Sequence, residues 1–500
     1  MINKVAKSVR YSVAAGCLAI AGVGGAVWAE PSGTLRWGAA FEPQGWNPQV
    51  QPNTTFSQLI YEGLLEMGPD GETLLPSLAH EWTVTPTDIT FKLREGVVFH
   101  DGTPFNADAV IANIKNVQAA SNRWRETVAG IKDVVKVDDY TVRLDLNTPS
   151  PALLFTLAQR GLHFTSPKAL ADGTWETKPI GTGPYTFNEA ETVSGSNYVF
   201  DYFEGYHNPE AVGPERVEIF YLPDSAARYN VLLAGQVDAI DGDPTQVAAA
   251  ESMGFANHYW STLRYHLIML DRKDLLGDVN VRKALCMSMP LDNINAARYE
   301  GLLKFPSQRF DEGNAAYVAG LEPYKYDIEG AKALLAEAGN PDINLELPSP
   351  DFMRVISSLA KESFDNSGLK TEIVMMPIPE YFQNFYSGRY PFLINTMTAE
   401  NGGMFNYYPF RFGMGGAANT YDVEPPARLE ELYQQALVAP VEEQPPLLQE
   451  MTQIIHDEAL DCGYFDTVGV VHYNTNTIAN IATTVWEPSA LRYKDVRLVK

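Results

Sequence analysis

The chain has 500 residues, 45% of them hydrophobic and 20% charged, and a formal net charge of −25. This is the composition of a globular protein rather than a disordered one, and its acidity opposes binding to nucleic acid or to anionic membrane surfaces. Its length exceeds what one core organises, so two or three lobes are expected.

The first 29 residues form a unit of their own. Lys4, Lys7 and Arg10 make a positive start, and an Ala- and Gly-rich apolar stretch follows from Val13 to Trp28. Val27-Trp28-Ala29 then offers small side chains at the −3 and −1 cleavage positions, the layout of a secretory signal peptide. The stretch is too short and too Gly-rich for a transmembrane helix, and no later segment is long and apolar enough to span a bilayer. A competing layout is a lipoprotein modified at Cys17 after Ala14-Ala15-Gly16, although Ala14 stands where Leu is usual and the apolar run before it is short. With residues 1–29 go three positive charges and no negative ones, which takes the formal charge from −25 to −28. Cys286 and Cys462 then remain. An exported compartment permits a disulfide between them, two buried thiols fit the sequence as well, and both readings stay open. No Cys-x-x-Cys pair occurs, so neither a zinc ribbon nor a redox motif is available.

Further along, Ile89, Phe91 and Leu93 alternate with polar residues and predict a half-buried strand. The turn pairs Glu95-Gly96 and Asp101-Gly102 bracket a second short strand, Val97 to Phe99. Asn106 is placed to cap a helix with Val110, Ile111, Ile114 and Val117 inside. Tyr140, Val142, Leu144 and Leu146 give another alternating strand. The second half is more helical: Ala331, Leu334, Leu335 and Ala338 form one apolar face, opened by Asp327 and closed by Gly339. Leu429, Leu432, Tyr433 and Ala436 form the next, and Leu447, Leu448, Met451 and Ile455 a third. From Tyr464 to Tyr473 the pattern returns to strand. Strand-rich ends around a helical middle predict discontinuous lobes between which the chain crosses more than once.

Enzyme signatures are missing. The eight histidines are scattered with no metal-ligand spacing, no Gly-x-Ser-x-Gly elbow occurs, and Gly181-x-Gly183 lacks the rest of a phosphate-binding fingerprint. His100-Asp101 and Asp238-x-x-Asp241 resemble metal ligands or paired carboxylates, but a structural reading is preferred for both. The expectation is therefore no catalytic residue, no cofactor and no metal.

The stretch Leu78 to Val110, with Trp82, Thr90-Phe91-x-Leu93-Arg94, Phe99-His100-Asp101-Gly102, Pro104-Phe105 and Ala107-Asp108-Ala109-Val110, closely resembles extracellular solute-binding family 5, the peptide/nickel/opine-binding components of ABC transporters. Other blocks follow in family order: Tyr61-Glu62-Gly63-Leu64, Pro179-Ile180-Gly181-Thr182-Gly183-Pro184-Tyr185, Tyr202-x-x-Gly205-Tyr206, Gly235-Gln236-Val237-Asp238, Val281-Arg282-Lys283-Ala284-Leu285 and Tyr326-Asp327. The resemblance implies an α/β, type-II-like periplasmic binding protein with two main lobes joined by hinge strands near 260–275 and 460–475, and an extra N-terminal subdomain. In these terms residues 30–70, 178–265 and 470–500 make the main part of lobe I, 71–177 its extra subdomain and 266–469 lobe II. The implied partners are a small-molecule or peptide ligand and an inner-membrane ABC permease, and the implied state is a periplasmic monomer.

The resemblance also implies where the ligand is held. Mapped onto this sequence, the family's contacts are Thr54-Thr55-Phe56, Trp124 with Arg160 and His163, Arg264-Tyr265-His266, and the loop Glu400 through Arg411, including Asn401, Tyr407 and Tyr408. An indole such as Trp124 can stack on a ligand or grip a cation. Arg264 is expected to hold a ligand carboxylate through two parallel bonds. Peptide-binding family members usually carry a Trp and an Asp in the 400–411 loop. Here both are missing and Glu400 is the nearest carboxylate, which leaves a nickel chelate, an opine or an oligosaccharide open beside an oligopeptide.

Overall fold

A computed structural model describes residues 30–43, 45–48, 54–68, 73–119, 125, 128–147, 150, 153–158, 162–396, 403–481 and 492–499. The signal-peptide expectation for residues 1–29 lies outside them. The chain divides into two compact units, Met1–Trp260 with Gly469–Lys500, and Ser261–Val468.

Among the described residues the first unit contains two larger sheets and two two-stranded ones. β1 (Thr34–Ala39) is followed by the short helix α1 (Thr54–Ile60). Next come β2 (Ala79–Val84), β3 (Asp88–Leu93), α2 (Ala107–Ala119), β4 (Ile131–Asp138) and β5 (Thr141–Leu146), then β6 (Tyr185–Phe187), β7 (Asn197–Tyr202), β8 (Arg216–Tyr221) and β9 (Ala239–Asp241). β2, β3, β5 and β4 pair in that order into an antiparallel sheet. The alternation read at Ile89, Phe91 and Leu93 buries all three, and Val110, Ile114 and Val117 of α2 join them in one core. Asn106 caps α2 as expected, its side-chain oxygen accepting from the Ala109 amide at 3.1 Å. The run Val97 to Phe99 is not a strand. It forms a single bridge, Val98 to Pro104, because Gly96 and Gly102, at φ +77° and +80°, turn the chain on both sides.

The second sheet of this unit lays β1 parallel to both β8 and β9, with β7 and then β6 antiparallel beyond β8. Trp37 at its centre is fully buried and donates from its indole nitrogen to Asp241. Gly181 and Gly183 pack so closely on the end of α1 that a Cβ would stand 2.0 Å and 2.7 Å from the Ile60 carbonyl oxygen. Only glycine admits that approach, and the Gly183 amide donates to that same oxygen at 2.8 Å. The block is a structural turn.

The chain enters the second unit along β10 (Ala256–Met269). There follow α3 (Val279–Met287), α4 (Ile328–Glu337), β11 (Asn344–Ser349), α5 (Arg354–Ser367), β12 (Lys370–Met375), α6 (Ile378–Tyr386), β13 (Phe392–Thr396), α7 (Met404–Arg411), α8 (Ala427–Val438) and α9 (Gln444–Asp457). β14 (Asp461–Tyr473) leads back to the first unit, where its last residues pair with β9. β11 and β12 run parallel, from Asn344 beside Lys370 to Ser349 beside Met375. α4 is capped by Asp327, which accepts from the Gly330 amide, and Ala331 and Leu335 are its buried face. The faces read for α8 and α9 bury Leu429, Leu432 and Ala436, and Leu448, Met451 and Ile455. Cys286 of α3 and Cys462 of β14 form a disulfide, Cα to Cα 5.7 Å, which decides the question the sequence left open.

Candidate functional site

The structure separates the expected contact residues into three groups. Trp124, Arg160, Glu400 and Asn401 lie outside the described residues, as do the side chains of Thr54 and Thr55 at the start of α1. His163 is half-buried behind Gly63 and lines a cavity of about 50 Å³ in the first unit with Glu62, Glu66, Arg492 and Lys494. That volume holds a few waters rather than a solute. Its charges are matched: Glu66 pairs with Arg492 at 2.5 Å, and Glu62 with His207 at 3.0 Å. Burial acts to raise the Glu62 carboxyl, yet the hydrogen bond and charge of His207, with Lys494 and Thr182, hold it below the usual range.

The third group is corrected. Phe56 is 3% exposed and packs on Tyr198 and Phe200, so it belongs to the core. Tyr265 stacks on Phe465 at 5.4 Å, and His266, fully buried, stacks on Tyr464. Arg264 has no donor left for a ligand. Its Nε and Nη2 bond the two oxygens of Asp466, Nη2 also reaches Asp311, and Nη1 donates to the Gln308 and Arg309 carbonyls. A guanidinium has five N–H groups, and these bonds use all of them. Burial opposes its charge, but Asp466 and Asp311 outweigh that and raise its pKa.

Tyr407, Tyr408 and Arg411 form the inward face of α7 rather than a loop wall. Arg411 is fully buried, bonding Asp461 at 2.7 Å and the Met269 carbonyl at 2.6 Å. The Tyr407 hydroxyl donates to Asp461 and that of Tyr408 to Glu430. The acidic pairs are structural too: Asp101 accepts from Ser166, Asp238 from the Arg36 amide, and Asp241 from Trp37 and the Ala40 amide. Among the described residues no group of three or more His, Cys, Asp or Glu could hold a metal ion.

A further concavity in the first unit, about 310 Å³, is lined by Trp46, Phe187 and Tyr198 with Lys178 and Glu189. Its Tyr198 hydroxyl is committed to Glu42 and Thr192 accepts from the Val199 amide, while Lys178 and Glu189 add charged groups to the aromatic lining.

Sequence reasoning missed one feature of the second unit. In the segments that follow the parallel strands β11 and β12, six large apolar side chains stay exposed: Phe352, Val355, Met375, Ile378, Phe382 and Tyr386, the last two further along α6. The signal was present in Ile378-Pro379-Glu380-Tyr381-Phe382-Gln383-Asn384-Phe385-Tyr386, which has two apolar columns where a surface helix needs one.

A family model, bacterial extracellular solute-binding proteins, family 5 Middle, matches residues 73–419. The dipeptide-binding protein of Escherichia coli (strain K12) is 26% identical over 480 residues, covering 83% of this chain and 88% of the relative. Heme-binding protein A of Haemophilus influenzae is 26% identical over 436 residues, covering 77% and 78%. Among solved structures, NikA from Brucella suis in complex with Fe(III)-EDTA superposes with a TM-score of 0.81 at 23% identity, covering 94% of this chain and 100% of that one. The binding protein AgaA in complex with agropinic acid gives 0.80 at 21%, covering 94% and 99%. At those identities the two structures speak for the fold alone.

Proposed function

Because the chain belongs to family 5 of the bacterial extracellular solute-binding proteins, we propose that it captures a peptide-like solute outside the inner membrane and delivers it to an ABC permease. The family consists of solute-binding proteins, and the fold is that of type II periplasmic binding proteins. The observation that carries the reading is the family match over residues 73–419, joined by a dipeptide-binding relative aligned along most of both chains.

On this reading the ligand contacts are Thr55, Trp124, Arg160, Glu400 and Asn401. Glu400 supplies a carboxylate for a peptide amine, and Arg160 a guanidinium for its carboxylate, both charge-assisted. The leader is cleaved after Ala29, leaving Glu30 as the mature N-terminus of a monomer. Among the described residues no helix is long and apolar enough to cross a membrane.

The test is native mass spectrometry of protein purified without added ligand, followed by a thermal-shift screen of di- and tripeptides, opines, oligosaccharides and nickel chelates. A ligand at a hundred times its dissociation constant stabilises the protein by about 2.7 kcal/mol. Short peptides are expected to raise the melting temperature. A panel in which no peptide does so, while an opine, sugar or chelate does, overturns the peptide reading and leaves the family assignment intact. Intact mass of the exported protein checks the N-terminus, and lipid on Cys17 would refute it.

A further inference from the structure

The concavity of about 310 Å³ in the first unit is built from three separately anchored pieces of chain. Trp46 comes from the segment after β1, and its carbonyl accepts from the Tyr61 hydroxyl at 2.9 Å. Lys178 follows a short turn, Thr174–Glu176, and its amide donates to the Thr174 carbonyl. Glu189 and Thr192 lie in the connection between β6 and β7. Asn188 ties that connection down, donating to Asp201 and accepting from the Glu191 amide. Walls held in this way are already in place, so a ligand has little chain left to order on binding.

The floor is aromatic. Trp46 and Phe187 are half-buried with ring centroids 4.5 Å apart, and Phe200 backs both. Such rings can cover a flat apolar group by stacking. The rim is charged. Lys178 and Glu189 are exposed, and among the described residues neither forms an ion pair or a side-chain hydrogen bond. Lys178 only adds, after Thr174 and Lys168, to holding the Asp172 carboxyl down. The neighbouring acids are engaged: Glu42 accepts from Tyr198, Glu176 from Asn47, and Glu191 pairs with Arg216. Thr192 uses its oxygen to accept from the Val199 amide, which leaves its O–H to donate. One cation, one anion and one hydroxyl donor therefore stand uncommitted around an aromatic floor.

Size and charge narrow the ligand. The volume equals that of about ten waters and lies at the lower edge of the roughly 300–1,000 Å³ usual for ligand pockets. A peptide of several residues is too large for it. A phosphate would meet a single cation with Glu189 on the same rim, and a bare metal ion would find one carboxylate. A neutral apolar solute would leave both charges unused. A free aromatic amino acid answers every feature: its carboxylate to Lys178 and the Thr192 hydroxyl, its ammonium to Glu189, its ring to Trp46 and Phe187.

We propose that this concavity is a second binding site, for a free aromatic amino acid, separate from the solute contacts named above. None of the described residues that line it is among those contacts. The proposal stands without the peptide-like reading, and its failure would leave that reading untouched.

The experiment titrates the full mature protein with L-phenylalanine, L-phenylalaninamide, 3-phenylpropionate and L-alanine, followed by saturation-transfer NMR. The amide lacks the carboxylate, the propionate lacks the ammonium, and alanine lacks the ring. Phenylalanine should bind about fivefold more tightly than the amide or the propionate, the scale of a solvent-facing ion pair. It should bind at least about tenfold more tightly than alanine, which has no ring to bury. Lys178→Gln should bring phenylalanine down to the affinity of the amide and leave the amide unchanged. Glu189→Gln should do the same toward the propionate. Both side chains are exposed, so both variants should melt as wild type does and bind short peptides unchanged. If phenylalanine does not bind at millimolar concentration, or binds wild type and both variants alike, the concavity is not its site. If the amide and the propionate bind as tightly as phenylalanine, the zwitterionic class is wrong. If either variant weakens short peptides as well, the concavity is part of the solute site, and a separate site is overturned.

Discussion

Arg264 on β10 grips Asp466 on β14 through both carboxylate oxygens, at 2.6 and 2.7 Å, so that a single ion pair ties together the two strands along which the chain enters and leaves the second unit. The side chains are 10% and 9% exposed, and the same guanidinium draws in the 308–311 segment through two carbonyls and Asp311. Removing one member of a buried pair leaves the other charge stranded, at a cost of about 3–5 kcal/mol. Arg264→Ala should therefore destabilise the ligand-free protein by about that amount in chemical denaturation. Arg264→Lys should recover part of it, because an ammonium cannot form the planar fork. A variant as stable as wild type, with solute affinity lost instead, would return Arg264 to the binding site.

The disulfide between Cys286 and Cys462 closes a loop of 176 residues. A cross-link over so long a loop stabilises by restricting the unfolded chain, by about 3–5 kcal/mol on the loop-entropy account. Both cysteines are 2% exposed, so reduction should be slow in the native state and fast once the second unit opens. The double variant Cys286→Ser with Cys462→Ser should unfold at a lower denaturant concentration than the oxidised protein. Wild type unfolded in reducing buffer should show the same midpoint as the variant, and equal midpoints for oxidised and reduced wild type would count against a stabilising role.

What the sequence reveals of this fold, and what it hides, divides by range. The faces of α2, α4, α8 and α9 and the caps Asn106 and Asp327 were legible because helix periodicity and capping are local. Arg264 was misread because its acid partner stands 202 residues away, and no local pattern announces that pairing. Tyr407, Tyr408 and Arg411 were misread for another reason. Gly402-Gly403 and Pro409 look like loop punctuation, yet Pro409 lies inside α7, and Met404, Tyr407, Tyr408 and Arg411 follow the spacing of one buried helical face. The apolar face of α6 was in plain view as composition.

His266 gives the fold a defined pH dependence. Burial is the main cause that pushes its imidazole down to about 3, with the charges of Arg309 and Arg411 adding and Asp461 opposing. In the unfolded chain the ring titrates near about 6.5. Above that value neither state is protonated and the contribution of the neutral ring is complete. Between about 6.5 and about 3 the unfolded state takes up a proton that the folded state refuses, so stability falls with falling pH by about 1.4 kcal/mol per unit. His100 and His472 are lowered in the same direction, so the informative quantity is a difference. His266→Asn should lose stability less steeply than wild type between pH 6 and pH 4, as read from urea midpoints. Parallel curves would mean that His266 does not stay neutral in the folded protein.

Arg411 and Asp461 present the more demanding case, since neither is exposed at all. Two charges withdrawn from water repay their desolvation only when their remaining donors and acceptors are also bonded, and here they are. Arg411 reaches the carbonyls of Met269 and Leu460 besides the carboxylate, while Asp461 also accepts the Tyr407 hydroxyl. Arg411→Met should leave the buried Asp461 carboxylate with the Tyr407 hydroxyl and the His266 ring 4.0 Å away but no cation, and cost about 3–5 kcal/mol. Asp461→Asn should strand the guanidinium against carbonyls and cost a similar amount. The double variant, Arg411→Met with Asp461→Asn, buries no unpaired charge, so its loss should be smaller than the sum of the two single losses by at least about 1 kcal/mol. Additive losses across the cycle would show that the two side chains are stabilised independently, and Arg411 would again be a candidate for contact with the solute.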